Sequence, residues 1–345
     1  MTSQTLESAR ELVVPRPLRT LRPQPSLVVT PAVVGHRGAS GSRPEHTIEA
    51  YRLAIAQGVD DIELDLVPTR DGVLVARHES EISGTTDVAT RPEFADRRTT
   101  RVIDGEELAG WFVEDFTLAE IKALTAHERL PELRPQNTEH DGRSGIPTFN
   151  EVLAMVHAES IRRGRSIGVM AELKHASYFD SIGLPLEVPL LADLRRHGVD
   201  HARSRVTVMA FESTVLRRLS GRTRVPVIQL LEEPERRPAD RPDLTYAELA
   251  TPDGLEFIDS YADGIGAHKG LVLPRDEEGA IGTPSSLVRD AHRRWLTVHV
   301  WTLRAEARFL PSGLDLADEA RAFLAAGVDG LITDNPDVVL AVRDG

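Results

Sequence analysis

Between Val33 and Glu79 the chain carries His36-Arg37, Glu63-Leu64-Asp65 and His78. Successive strand side chains point to opposite faces. In the run Asp61–Leu66, Glu63 and Asp65 would therefore share one face, and Ile62, Leu64 and Leu66 the other. Adjacent carboxylates raise each other's pKa unless a cation lies between them, and a hard cation held by oxygen, calcium or magnesium, resolves the repulsion. The plain alternative is an antiparallel strand with one wet, acidic face. His36 and His78 bracket this strand. A lone histidine at a strand end is ordinarily a packing or surface residue. Two of them, one beside an arginine and a Gly-rich turn, suggest an acid–base pair next to an anion. Arg37 adds a permanently charged fork suited to phosphate oxygens.

Later segments add candidates. The run Ser166–Leu173 leads into Glu172-Leu173-Lys174-His175, in which Glu172 and Lys174 share a face. Alone they read as a strand-end ion pair; in register with Glu63 and Asp65, Glu172 becomes a third carboxylate. Phe211, Gln229 and Trp301 lie at or near the ends of later apolar runs and are candidates to line a pocket. His299, two residues deeper than Trp301, reads as structural. Asp334-Asn335-Pro336 reads as a helix N-cap with proline at the first helical position. No Ser, Cys or Thr is placed as a nucleophile, so the attacking oxygen would come from water or from the substrate.

These groups need strands to hold them. Short apolar runs alternate with longer helical patterns: strands are expected at Ala32–Gly35, Asp61–Leu66, Ser166–Leu173, Arg205–Ala210, Val225–Leu230, Gly264–Gly266, Leu296–Trp301 and Gly330–Thr333. Helices are expected at Thr47–Gln57, Thr148–Arg163, Leu186–His197, Ser213–Ser220, Ser285–Arg294, Asp315–Ala326 and Asp337–Val342, several followed by a stop glycine such as Gly58 or Gly164. This alternation spells a (β/α)8 TIM barrel, whose functional residues gather at the C-terminal ends of the strands. Val73–Ala76 would be an extra strand outside the alternation. Residues 80 to about 146, charged and with one short helix at Leu118–Leu124, read as a cap-like insertion after the second strand region, with Trp111-Phe112-Val113 serving packing. Residues 1–27, rich in Pro and Arg, read as a disordered or extended tail; 28–345 form the barrel domain.

The pattern His36-Arg37-Gly38, Pro44-Glu45-His46-Thr47, Glu63-Leu64-Asp65 and His78 resembles the signature of glycerophosphodiester phosphodiesterases. The likeness runs from about residue 32 to 343 and is closest to the long, calcium-dependent bacterial subgroup. It implies metal-dependent hydrolysis of glycerophosphodiesters to sn-glycerol 3-phosphate and an alcohol. His36 and His78 would act as acid and base. Glu63, Asp65 and Glu172 would hold calcium, with magnesium the alternative. Arg37 and Lys174 would contact phosphate, and an aromatic near Trp301 would line the glycerol pocket. Glu45 would orient Arg37 or reach the metal. His46 stands where the family usually has Asn. Two other readings remain: a lysophospholipase D or sphingomyelinase-D-like enzyme using the same site, and a non-catalytic binding barrel.

Composition narrows the partners. Lys plus Arg number 41 against 54 Asp plus Glu, a net charge of -13, which argues against nucleic acid and anionic membrane surfaces. The absence of cysteine excludes disulfides, thiolate metal sites and cysteine nucleophiles. No 18-residue apolar run occurs and no secretory signal is visible, so the default expectation is cytoplasmic, or secreted or periplasmic if the true start lies upstream. Nothing in the pattern marks an oligomeric state.

Overall fold

The computed structural model describes residues 27–345. The expected N-terminal tail falls, except for its last residue, outside the described residues. In chain order the strands are β1 (Ala32–Gly35), β2 (Asp61–Pro68), β3 (Leu74–Ala76), β4 (Thr99–Ile103), β5 (Glu106–Gly110), β6 (Gly168–Leu173), β7 (Val206–Ala210), β8 (Val227–Leu231), β9 (Gly264–His268), β10 (Thr297–Leu303) and β11 (Gly330–Thr333). Eight of them, β1, β2 and β6 to β11, pair in parallel, and β1 bonds both β2 and β11, so the sheet closes on itself. Helices fill the connections, and the architecture is the (β/α)8 barrel expected from the alternation.

The capping chemistry explains the helix ends. Thr47 accepts a hydrogen bond from Ala50 N and starts the helix Ile48–Gln57; Gly58, at φ 116, ends it in the left-handed region open to glycine. Thr148 and Glu151 form a reciprocal capping box at the start of Phe149–Arg163. Short helices at Ala176–Ser181, Tyr246–Leu249, Pro252–Asp259 and Lys269–Val272 were not expected. They span few turns among Pro and charged residues, too short to display a period.

Apolar side chains segregate by strand parity. Ile62, Leu64 and Leu66 of β2 pack outward into the main core beneath the helices. Val34, Met170, Met209, Ile228, Leu230 and Ile332 form a small separate cluster inside the barrel. Above that plug the inward positions become polar, and the site begins there.

The insertion does not stand apart from the barrel. Val113, Phe116, Ile121, Leu124 and Ile146 belong to the same core as the barrel helices. It also holds a hairpin, β4–β5, turned by Asp104 and Gly105 at φ 50 and 87, the positive pair typical of tight two-residue hairpins. Asp-Gly is a strong hairpin signal, yet the region reads as charged loop because Thr99–Ile103 and Glu106–Gly110 lack an apolar face. Trp111 donates its Nε1–H to Phe94 O, in keeping with a packing role. Among the described residues no helix is long and apolar enough to cross a membrane.

Candidate active site

A cavity of about 700 Å3 opens at the C-terminal ends of the barrel strands. His36, Arg37, Glu63, His78, Glu172 and Lys174 all line it. Asp65 lies one step behind, directly opposite Glu172 in the β2–β6 register. Glu63, Asp65 and Glu172 are buried, and each offers an oxygen within 4.8 Å of the others.

Backbone conformation aims the first group. Arg37 adopts φ 56, which turns its N–H onto Glu63 Oε2 at 2.9 Å. Gly38 follows at φ 90, where a Cβ would lie 2.5 Å from the Ala50 backbone, so no side chain fits. The Arg37 guanidinium then spans two carboxylates, Glu45 at 3.0 Å and Asp65 at 3.1 Å. Lys174 Nζ lies 2.6 Å from Glu172 and 3.4 Å from Asp65, with its charge 5.5 Å from the centre of the Phe211 ring.

The carboxylates carry more charge than their cations neutralise evenly. Burial and the neighbouring Asp65 push Glu63 well above the usual range. Burial, with Asp65 adding, raises Glu172 to about 8 although Lys174 opposes it. Asp65 goes the other way: burial disfavours its charge, but Lys174 and Arg37 more than offset that. A buried, all-carboxylate oxygen set, two of whose members are driven toward protonation, is the donor chemistry a hard divalent cation requires, and the three residues fit one.

Each histidine is held by a carboxylate. His36 Nδ1 lies 2.6 Å from Asp334 Oδ1 and His78 Nδ1 is bonded to Glu79. In the neutral imidazole Nδ1 then carries the proton and Nε2 is left as the acceptor. Burial and the nearby Arg37 lower His36 to about 4. Burial, Arg37 and Lys174 lower His78 to about 3. Both rings are neutral near pH 7 in the absence of a bound anion.

His46 is fully buried and has φ 56, a region in which Asn and His are enriched. Its Nε2 faces Asp65 at 2.9 Å and its Nδ1 faces the Tyr51 hydroxyl at 2.9 Å. Burial lowers it to about 4, so it is neutral: Nε2–H donates to Asp65 and Nδ1 accepts from Tyr51. Arg77, 1% exposed, donates to the carbonyls of Glu45, His46 and Thr85 and pins this loop from below.

Phe211 and Trp301 line the cavity as expected, in edge contact at 5.5 Å, with Trp301 Nε1 donating to Gly266 O. Gln229 does not reach it. Its Nε2 donates to Phe211 O and Leu230 O, and its Oε1 accepts from Tyr261, so every polar atom is used under the helices. The cause is parity: on β8 the inward residues are Ile228 and Leu230, and the polar group that lines the cavity is Glu232. The closing helix has its N-cap at Asn335 and Pro336 in its first turn, as expected, although no side chain caps it; Asp334, 3% exposed, has the further and unexpected role of serving His36, Arg134 and Arg304. Its place at the end of the last strand was the available signal. Arg129 and Arg134, from the insertion, reach Glu45, Glu79 and Asp334; no local pattern marks them.

Residues 36–338 match the family model described as the glycerophosphoryl diester phosphodiesterase family. The chain belongs to that family. A glycerophosphodiester phosphodiesterase of Arabidopsis thaliana is 33% identical over 344 residues, covering 95% of this chain and 88% of the relative. One from Haemophilus influenzae is 27% identical, covering 88% and 87%. Among solved structures, a glycerophosphoryl diester phosphodiesterase from Silicibacter pomeroyi superposes with a TM-score of 0.65 at 24% identity, covering 94% of this chain and 95% of that one. An Oleispira antarctica phosphodiesterase, solved with sn-glycerol 3-phosphate, gives 0.62 at 19% identity, covering 92% and 98%. For this phosphodiesterase family member the distant structures establish the barrel; the sequence match carries the family.

Proposed function

We propose that the protein hydrolyses glycerophosphodiesters to sn-glycerol 3-phosphate and an alcohol by acid–base catalysis between His36 and His78. The observation that carries this is the pairing itself: two neutral imidazoles, each with Nδ1 on a carboxylate, line one cavity with Arg37 and a buried carboxylate triad. The phosphate would lie against Arg37, whose guanidinium is held by Glu45 through Nη1 and by Asp65 through Nε, and near Lys174.

Glycerol carries a hydroxyl next to its phosphorylated carbon. In the first step one histidine takes that proton, the hydroxyl oxygen bonds phosphorus, and the phosphorus–alcohol bond breaks. The other histidine, protonated once the phosphate anion is beside it, gives its proton to the departing alcohol. The tethered nucleophile gains the effective molarity of an intramolecular group. Water then opens the five-membered cyclic phosphate with the proton roles reversed, and both imidazoles return to their starting state. Glu63, Asp65 and Glu172 would hold the cation, calcium by family likeness with magnesium the alternative; when bound it supplies phosphate charge neutralisation and Lewis-acid polarisation. The cap-like role of residues 80 to 146 belongs to the same reading, since Ile103, Asp104 and Leu108 of the hairpin line the same cavity as Trp301.

The test is steady-state turnover of glycerophosphocholine with detection of sn-glycerol 3-phosphate. His36→Ala and His78→Ala should each lose at least about a hundredfold in kcat, and exhaustive chelation should abolish turnover. Retained activity in either variant removes the acid–base pair; unchanged turnover after dialysis against EDTA removes the metal. A glycerol analogue lacking the neighbouring hydroxyl should bind and not turn over; equal rates would leave direct attack by water. Release of a lysolipid head group with no action on glycerophosphocholine would favour the lipid-directed alternative.

A further inference from the structure

Each histidine–carboxylate pair continues into an arginine of the same short stretch of the insertion. On one side His36 bonds Asp334 Oδ1, and Asp334 Oδ2 accepts from Arg134 Nη2 at 2.6 Å. On the other, His78 bonds Glu79, and Arg129 Nη1 lies 2.7 Å from Glu79 Oε1. Arg129 also forks onto Glu45, at 2.6 and 2.7 Å, and Glu45 in turn holds Arg37. Neither Arg129 nor Arg134 lines the cavity, so neither reaches a substrate there. The stretch is itself rigidly tied. Arg134 Nη1 and Asn137 Nδ2 both donate to Ser40 O, beside His36, and Asn137 also bonds the buried Glu128.

We propose that Arg129 and Arg134 are positioning residues that set the two histidines through Glu79 and Asp334, making the insertion part of the catalytic apparatus and not only a wall. This rests on the acid–base reading of His36 and His78. A buried carboxylate with free rotation offers an imidazole several geometries. A charge-assisted bond to its second oxygen from a planar guanidinium leaves one. Both chains have the same order, histidine, carboxylate, arginine, although the carboxylates come from distant parts of the sequence, Glu79 after β3 and Asp334 after β11. The alternative is that the arginines merely staple the insertion to the barrel. That role predicts a loss of stability without a selective loss of turnover.

The experiment measures kcat, KM and melting temperature for Arg134→Met, Arg134→Lys and Arg129→Met, and for Arg134→Met combined with Asp334→Asn. Arg134→Met and Arg129→Met should each lower kcat by about 10- to 100-fold, by analogy with the outer partners of metal-ligating histidines, with KM changed less than kcat. Lysine at 134 keeps the charge and loses the fork, so it should recover part of the loss. In the Asp334→Asn background, removing Arg134 should cost much less than it does alone, because both act along one chain. Full kcat with a lowered melting temperature, or additive losses in the cycle, would overturn the proposal. If Arg134→Met does not fold, the lysine variant carries the cycle, and an undiminished kcat there has the same force. His36→Ala and His78→Ala separate the two failures. Activity in those variants overturns the acid–base reading; their inactivity beside a fully active Arg134→Met overturns the positioning role alone.

Discussion

The strand-end half of the site and the insertion half are built by different physics. Glu63, Asp65 and Glu172 owe their meeting to strand parity and sheet register: Asp65 stands opposite Glu172 because β2 and β6 pair in parallel. Arg129 and Arg134 owe theirs to ion pairs that span 84 residues to Glu45 and 200 residues to Asp334. The first kind of contact repeats along a ladder and tolerates change around it. The second depends on one loop packing in one way. A barrel thus supplies a reusable floor for chemistry, and the loops above it supply the fine orientation.

Deleting the insertion breaks this comparison most severely. A cap added to a finished barrel would be removable. Here Phe112, Val113, Phe116 and Ile121 are fully buried, and three of the four lie in the main core. Each such side chain is worth about 1.5–3 kcal/mol of burial, and a domain's whole margin is about 5–15 kcal/mol. Replacing residues 80–146 by a short linker should therefore abolish cooperative unfolding in a melting experiment. A folded, truncated barrel would show that the two halves are separable after all.

The same division decides what the sequence discloses. All eight barrel strands begin within two residues of their expected start, and β1 and β11 match throughout, because apolar runs and stop glycines are local. The carboxylate triad was legible for the same reason, since period two puts Glu63 and Asp65 on one face. Gln229 was misjudged because a short, fully buried strand shows no polar–apolar alternation: all five residues of β8 are buried. The motif Asp334-Asn335-Pro336 was legible as the start of the last helix, but nothing local marks Asp334 as the partner of His36. Arg129 and Arg134 lie in a segment without periodicity, and nothing short of the folded chain brings them to Glu79 and Asp334.

A pH experiment sharpens the comparison where the halves join, at His36. Its folded pKa, about 4, lies below the ordinary 6.5 because burial and Arg37 outweigh Asp334. As pH falls below 6.5 the unfolded chain takes up this proton before the folded one does. The stabilising contribution is thus fully present above pH 6.5 and is lost as pH falls toward 4. Comparison with His36→Gln cancels the other titrating groups. The stability difference between wild type and variant should shrink on acidification, by at most about 1.4 kcal/mol per pH unit. Chemical denaturation at pH 7, 6, 5 and 4 reads it directly. A difference that stays constant would mean that His36 titrates alike in both states.

The smallest effect is expected at His46, which lies wholly on the barrel side. Its ring bridges Asp65 and Tyr51, so both nitrogens are engaged away from the cavity and neither is free to move a proton there. Asparagine tolerates the same positive φ and has an amide N–H for Asp65, but its side chain is too short to accept from Tyr51 as well. His46→Asn should therefore keep kcat within about threefold, roughly 0.7 kcal/mol of barrier. It should lose about 1–3 kcal/mol of stability, because the fully buried Tyr51 hydroxyl is left without its acceptor. Adding Tyr51→Phe removes the orphaned hydroxyl and should restore most of that stability without altering kcat. Should His46→Asn instead lose activity as His36→Ala does, Asp65 would depend on the imidazole for its orientation. The barrel half would then rest, like the insertion half, on a single side-chain contact.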